Sequence, residues 1–283
     1  MPPANVQVVG KVQQIMSQPN ETLAQIAERF DVGYFEMLEA NPLATKEGEL
    51  AVGTELTIPT SYVLPDTKHE GIVINLAELR LYHYLPDKGV LDTEPIGIGR
   101  EGWETPQGVT RIVDRRKDPT WYAPLSIIKA RAAEGVTIPR IIKPGPDNPL
   151  GQYALRLGWR TYLIHGTNDP EGVGRRVSSG CIRMYNKDIQ RLYETTPVNT
   201  PVRVINQAYK AGWGANGKLY VESHLPLQED RYEQQHHYRG MLKALVTATV
   251  DRPANIDWSR VRQIATQLTG IPTAVGFVSK KET

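Results

Sequence analysis

The feature that most restricts this chain is its punctuation: 21 prolines and 24 glycines are spread over 283 residues, leaving little room for long helices. Proline fixes φ and lacks an amide proton, and glycine carries an entropic cost in regular structure, so both favour turns. Between the turns lie short apolar runs such as Gly71-Ile72-Val73-Ile74-Asn75-Leu76 and the alternating Leu79-Arg80-Leu81-Tyr82-His83-Tyr84. Further strands are expected at 153–157, 162–165 and 202–205. Many short strands separated by Pro/Gly turns predict a mainly-β sandwich rather than a bundle or a doubly wound sheet. One helix is expected after residue 186, with Asn186 as its cap and Ile189, Leu192 and Tyr193 on one face.

Helical periodicity appears at the two ends. Thr22 and Gln25 have capping-box spacing, and Leu23, Ile26, Ala27 and Phe30 follow on one face. Asp31-Val32-Gly33 breaks that helix, Tyr34, Met37 and Leu38 mark a second, and Asn41-Pro42 stops it. With Gln13-Gln14-Ile15-Met16 before and Leu56-Thr57-Ile58 after, the order is strand, helix, helix, strand. At the other end, Tyr238, Met241, Leu242, Leu245 and Val246 form an apolar stripe, and a second runs from Trp258 to Leu268, ending at Gly270. The overall class is therefore α+β. It divides into a small module (10–60), a linker (61–70), a mainly-β domain (71–228) and a helical extension (229–283).

Composition removes several functions. A net charge of +2 without a dense Lys/Arg run argues against nucleic acid as a partner. No apolar run is long enough for a transmembrane segment. One cysteine permits neither an internal disulfide nor a cysteine-type zinc site, and His69, His83, His224, His236 and His237 lack ligand spacing. No metal and no cofactor is expected. The start, Met1-Pro2-Pro3-Ala4, lacks the pattern of a signal peptide, which carries little weight because a processed chain looks the same.

The first module resembles a LysM domain, a small unit that often binds the glycan of peptidoglycan or chitin. The matching residues are Glu21-Thr22-Leu23, Ile26-Ala27, Phe30-Asp31-Val32, Ala40-Asn41-Pro42 and Gly53-Thr54-Glu55-Leu56-Thr57-Ile58-Pro59. The resemblance implies a glycan partner. The module is expected to localise the enzyme, so that its deletion before Ser61 would spare turnover of soluble fragments.

The chemistry lies in His165-Gly166-Thr167 and Ser178-Ser179-Gly180-Cys181-Ile182-Arg183-Met184. Sixteen positions separate His165 from Cys181, enough for a turn and return. An imidazole beside a thiol can take its proton or stabilise the ion pair. Gly180 allows a tight turn whose amides could form an oxyanion hole. Arg183 can grip a substrate carboxylate with its planar fork, with Arg175 and Arg176 as alternative anchors.

This segment resembles the signature of the YkuD-type L,D-transpeptidases of the Gram-negative envelope, as do Pro95-Ile96-Gly97-Ile98-Gly99, Thr105-Pro106 and Gly145-Pro146-Asp147-Asn148-Pro149-Leu150-Gly151. The resemblance implies Cys181 as nucleophile, His165 as acid/base, the Gly166 carbonyl as the group orienting the imidazole, and Arg183 as a substrate-carboxylate contact; Ser179 and Arg176 are further candidates at the substrate. Ser179 stands where many members have a second histidine. The implied reaction transfers the diaminopimelate acyl group of a peptidoglycan tetrapeptide stem, with release of D-alanine, through a thioester. The acceptor is an amine of another stem or of an outer-membrane protein, and the implied location is the periplasm. Water as acceptor, giving a carboxypeptidase, and a non-catalytic peptidoglycan-binding protein are the alternatives.

Overall fold

A computed structural model of the chain describes residues 1–44 and 48–279. Strands dominate it. The first module has the expected order: strand Gln13–Met16 pairs antiparallel with Glu55–Ile58, and helices Leu23–Arg29 and Tyr34–Ala40 pack between them. Thr22 and Gln25 close the capping box, and Asp31 breaks the helix with φ 54°. Asn41 ends the second helix by donating to Met37 O (2.9 Å) and accepting from Thr57 N–H (2.7 Å). Leu23, Ile26, Val32, Met37, Leu56 and Ile58 form the module's core.

The segment read as a linker is part of the fold. Ser61–Val63 is a strand paired with Val8–Gly10, and Tyr62, Val63 and Leu64 are buried. Its prolines suggested a tether, whereas its apolar triplet holds it down.

The middle domain is built on an eight-stranded mixed sheet. Its strand order is Ile182–Arg183, Leu163–His165, Tyr153–Leu157, Gly108–Lys117, Pro201–Ile205, Gly71–Asn75, Arg80–Leu85 and Val90–Pro95. Two neighbouring pairs are parallel, Leu163–His165 with Ile182–Arg183 and Pro201–Ile205 with Gly71–Asn75. Ile72, Ile74, Leu81, Leu155, Ile164 and Ile182 supply one continuous core, onto which helix Asn186–Thr195 lays Ile189 and Leu192. A small excursion, with strands Trp121–Tyr122 and Ile141–Ile142 around helix Leu125–Ala133, projects from this body.

The C-terminal extension is helical only in part. Helices His237–Thr249 and Trp258–Gln267 form, and Met241, Leu245, Val261, Ile264 and Ala265 are buried as their stripes required. The second helix stops at Leu268, in the left-handed conformation (φ 51°), ahead of the expected Gly270. Ala254–Ile256 and Thr273–Val278 are strands that join Tyr209–Trp213 and Lys218–Ser223 in a four-stranded sheet. The hairpin 209–223 therefore packs with the tail, and a boundary at 228 cuts through one sheet.

The first module is docked on the middle domain rather than tethered to it. Glu36 holds Arg80 through Nε (2.7 Å) and Nη2 (2.8 Å), with Arg80 fully buried and its guanidinium 4.2 Å from the Tyr62 ring centre. Lys187 reaches back to Asp31 at 2.5 Å, and His224 meets Glu39 at 3.2 Å. Deleting the module would remove the carboxylate that pairs with this guanidinium and part of what buries it.

Candidate active site

The parallel pairing of Leu163–His165 with Ile182–Arg183 closes the gap between the two halves of the motif. Ile164 stands opposite Ile182 and His165 opposite Arg183, so the chain from 166 to 181 makes its turn and returns beside the strand it left. Met184 N–H donates to His165 O at 2.9 Å and locks this register.

His165 is buried, and its Nδ1 lies 2.6 Å from the Gly166 carbonyl oxygen. A carbonyl only accepts, so Nδ1 carries the proton and Nε2 keeps a lone pair. Burial, reinforced by the Arg183 charge, lowers the imidazole pKa to about 4. At neutral pH the ring is an uncharged base.

Asn186 sets the Gly166 peptide. It does not cap the helix, which begins at Asn186 itself after Tyr185. Its Oδ1 accepts from Thr167 N–H (3.0 Å) and its Nδ2 donates to Thr167 O (2.8 Å). A Cβ on Gly166 would lie 2.3 Å from Asn186 Oδ1, so only glycine fits against this clamp.

Cys181 follows Gly180, whose φ of +102° is open to glycine and strained for other residues. Thr105 Oγ1 donates to Gly180 O at 2.9 Å and accepts from Gly99 N–H at 3.1 Å. Ser178 Oγ donates to Cys181 O at 2.5 Å and accepts from Gly180 N–H at 3.2 Å. The Gly180 amide expected to serve an oxyanion hole is thus engaged within the loop. Cys181 Sγ points towards Thr161 O at 3.6 Å. Burial pushes the thiol pKa up, against the smaller opposing effects of a hydrogen bond from the Leu163 backbone and the Arg183 charge. Burial thus disfavours the charged form of both the thiol and the imidazole.

Cys181, His165, Ser179 and Arg183 all line one cavity of about 850 Å³, roofed by Trp121, Tyr122 and Ile127 from the small excursion. Arg183 Nη1 meets Asp169 Oδ2 at 3.3 Å, while its Nε is buried without a hydrogen-bond partner. Arg183 thus brings a guanidinium to the cavity wall, a group able to grip a carboxylate. Arg176 does not belong here. Both ends of its fork are bound to Glu229 (2.9 and 3.0 Å), and it is absent from the cavity wall. Arg175 is also committed elsewhere, stacked 3.5 Å from the Tyr34 ring centre. Sequence reasoning gave no role to Ser178 or Thr105, although both stand inside the quoted motifs, because a hydroxyl's partner is set by the turn.

Among the described residues, one group of side chains has metal-ligand proximity: Glu78, Glu222 and His224. Lys210 Nζ lies 2.7 Å from both carboxylates, so an ammonium already occupies the place of a cation.

A cysteine and a histidine thus share one cavity wall on the edge of the sheet, and comparison supplies the family. Residues 69–204 match the L,D-transpeptidase catalytic domain (YkuD), and residues 18–59 match the LysM domain. The chain is 38% identical over 279 residues to "Probable L,D-transpeptidase ErfK/SrfK" of Salmonella typhimurium, covering 97% of this chain and 90% of that one. It is 43% identical over 235 residues to "Probable L,D-transpeptidase YcfS" of Escherichia coli (81% and 73% covered) and 42% identical over 243 residues to "Probable L,D-transpeptidase YbiS" of that organism (83% and 78%). This chain belongs to the L,D-transpeptidase family.

Proposed function

We propose that this L,D-transpeptidase works in the periplasm on peptidoglycan tetrapeptide stems, with Cys181 as nucleophile, His165 as general base and acid, and Arg183 as a carboxylate contact. The observation that carries this reading is the tautomer: with Nδ1–H donated to Gly166 O, Nε2 is the nitrogen left to accept the thiol proton.

As Cys181 Sγ attacks the diaminopimelate carbonyl carbon, its proton passes to His165 Nε2. The C–N bond to D-alanine then breaks, the imidazolium protonates the departing amine, and a thioester remains. An acceptor amine attacks the thioester, His165 takes its proton, and the thiol is regenerated. Starting from a neutral pair suits this sequence, because the imidazole meets both the incoming thiol and the incoming amine unprotonated. A second amide is the product if the acceptor is another stem, and a protein anchor if it is an outer-membrane protein amine. The LysM module is assigned contact with the glycan from which the stems hang.

The test offers tetrapeptide donor together with stem acceptors and outer-membrane protein amines, and identifies products by mass spectrometry. New amides with stoichiometric D-alanine are expected. Free tripeptide as the sole product would replace transfer with carboxypeptidase action.

A further inference from the structure

The LysM module touches the middle domain where Arg183 is held. Helix Tyr34–Ala40 starts at Gly33, and Phe35 N–H donates to Gly174 O at 3.2 Å. This contact is backbone against backbone: a Cβ on Gly174 would lie 2.2 Å from Tyr34 N, and one on Gly33 would lie 2.9 Å from Gly174 Cα. One residue on, the Arg175 guanidinium stacks 3.5 Å from the centre of the buried Tyr34 ring.

The other side of the same loop faces the carboxylate clamp. Gly174 N–H donates to Ile96 O (3.1 Å), and Ile98 N–H donates to Arg175 O (3.0 Å). Between those two residues, Gly97 exchanges both backbone bonds with Arg183, each 2.9 Å. A Cβ on Gly172 would lie 2.8 Å from Arg183 Nη1, and Asp169, at the loop's start, is the side chain paired with that same nitrogen. The loop is thus clasped by the module on one face and fits the Arg183 side chain on the other.

We propose that the LysM module has a second task besides any glycan contact: Tyr34 and Arg175 are positioning residues that fix loop 169–175, and through it orient Arg183 for the donor's carboxylate. This rests on the carboxylate role assigned to Arg183 above. A planar fork loses its bidentate contact when its backing shifts, so the effect falls on donor binding rather than on the thiol. The Cys181 and His165 geometry is held separately, by Ser178, Thr105 and Asn186.

The test uses the full chain with Arg175→Ala and Tyr34→Leu, and Tyr34→Phe as the ring-preserving variant. Donors are the natural tetrapeptide and forms with each stem carboxylate converted in turn to its amide. The expected result is a rise in KM of about tenfold for the natural donor in both disruptive variants, equivalent to one lost charge-assisted contact. Alkylation of Cys181 by iodoacetamide stays at the parent rate, Tyr34→Phe restores KM, and one amidated donor is turned over equally by parent and variants. An unchanged KM, an equal rise with every amidated donor, or a parallel fall in alkylation would each overturn the proposal. Arg183→Gln is the reference: if it keeps the parent's preference for the natural donor over every amidated one, the carboxylate assignment fails first and the positioning role with it.

Discussion

Two of the clusters of buried ionisable side chains among the described residues are built to opposite specifications. In one, Glu78, Lys210, Glu222 and His224 pair with one another, with Lys210 Nζ 2.7 Å from two carboxylates and His224 Nε2 2.7 Å from Glu222. All four are at most 2% exposed. In the other, Cys181, His165 and Arg183 open on a cavity, the Arg183 Nε has no partner, and both thiol and imidazole are held neutral. The first is closed and cancels its own charge. The second lines a cavity and leaves Arg183 Nε without a hydrogen-bond partner. A donor-rich cluster alone does not mark a site; the second cluster is distinguished by a thiol, an imidazole and a cation on one cavity wall.

The largest effect expected is on chemistry in the open cluster. His165→Gln keeps a side chain that can bond Gly166 O but removes the base, and acyl transfer should fall about 100- to 10,000-fold. Because the imidazole titrates at about 4, the parent's acid limb of kcat/KM should lie near that value, well below the ordinary 6.5. Steady-state rates across pH check both points, and an acid limb at 6.5 would remove the neutral-pair account.

The next contrast exchanges stability for recognition. Lys210→Met leaves Glu78 and Glu222 buried against each other and should cost about 3–5 kcal/mol in denaturant unfolding, without altering Cys181 alkylation in the folded protein. Arg183→Gln should cost at most about 1 kcal/mol, because its partner Asp169 is 57% exposed, yet should impair donor recognition. Equal stability losses in the two variants would dissolve the comparison.

A smaller effect comes from His224. Burial lowers its pKa, but hydrogen bonds to Glu222 and Glu39 outweigh this and raise it to about 10 from 6.5. A raised folded pKa contributes stability that is fully present below 6.5 and is lost as pH climbs towards 10. Unfolding free energy should therefore decline over that window, with a shallower decline in His224→Gln.

What the sequence made legible follows from how local each signal is. The module's βααβ order could be read because its capping box and helix breaker lie within a few residues of the apolar faces they bound. Cys181, His165 and Arg183 stood out because their types and spacing match one chemistry. The functions of Asn186 and Arg176 were misread, since the first clamps a loop 19 residues away and the second is claimed by Glu229, 53 residues on. The strands Ala254–Ile256 and Thr273–Val278 leave no local pattern because the second pairs with Lys218–Ser223 some fifty residues earlier, the first pairs only with the second, and both runs are short. Segment 61–70 reads as a linker, and the docking of the module stays hidden, because the contact between Glu36 and Arg80 spans 44 residues and leaves no local pattern.

The central claim, that the open cluster is the one that forms a covalent intermediate, is tested most directly by intact-protein mass spectrometry of the enzyme mixed with tetrapeptide donor and quenched in acid. The account predicts an acyl adduct on the peptide carrying Cys181, appearing with one equivalent of D-alanine and absent from Cys181→Ala. D-alanine release by Cys181→Ala at the parent rate, with no adduct in either protein, would contradict it.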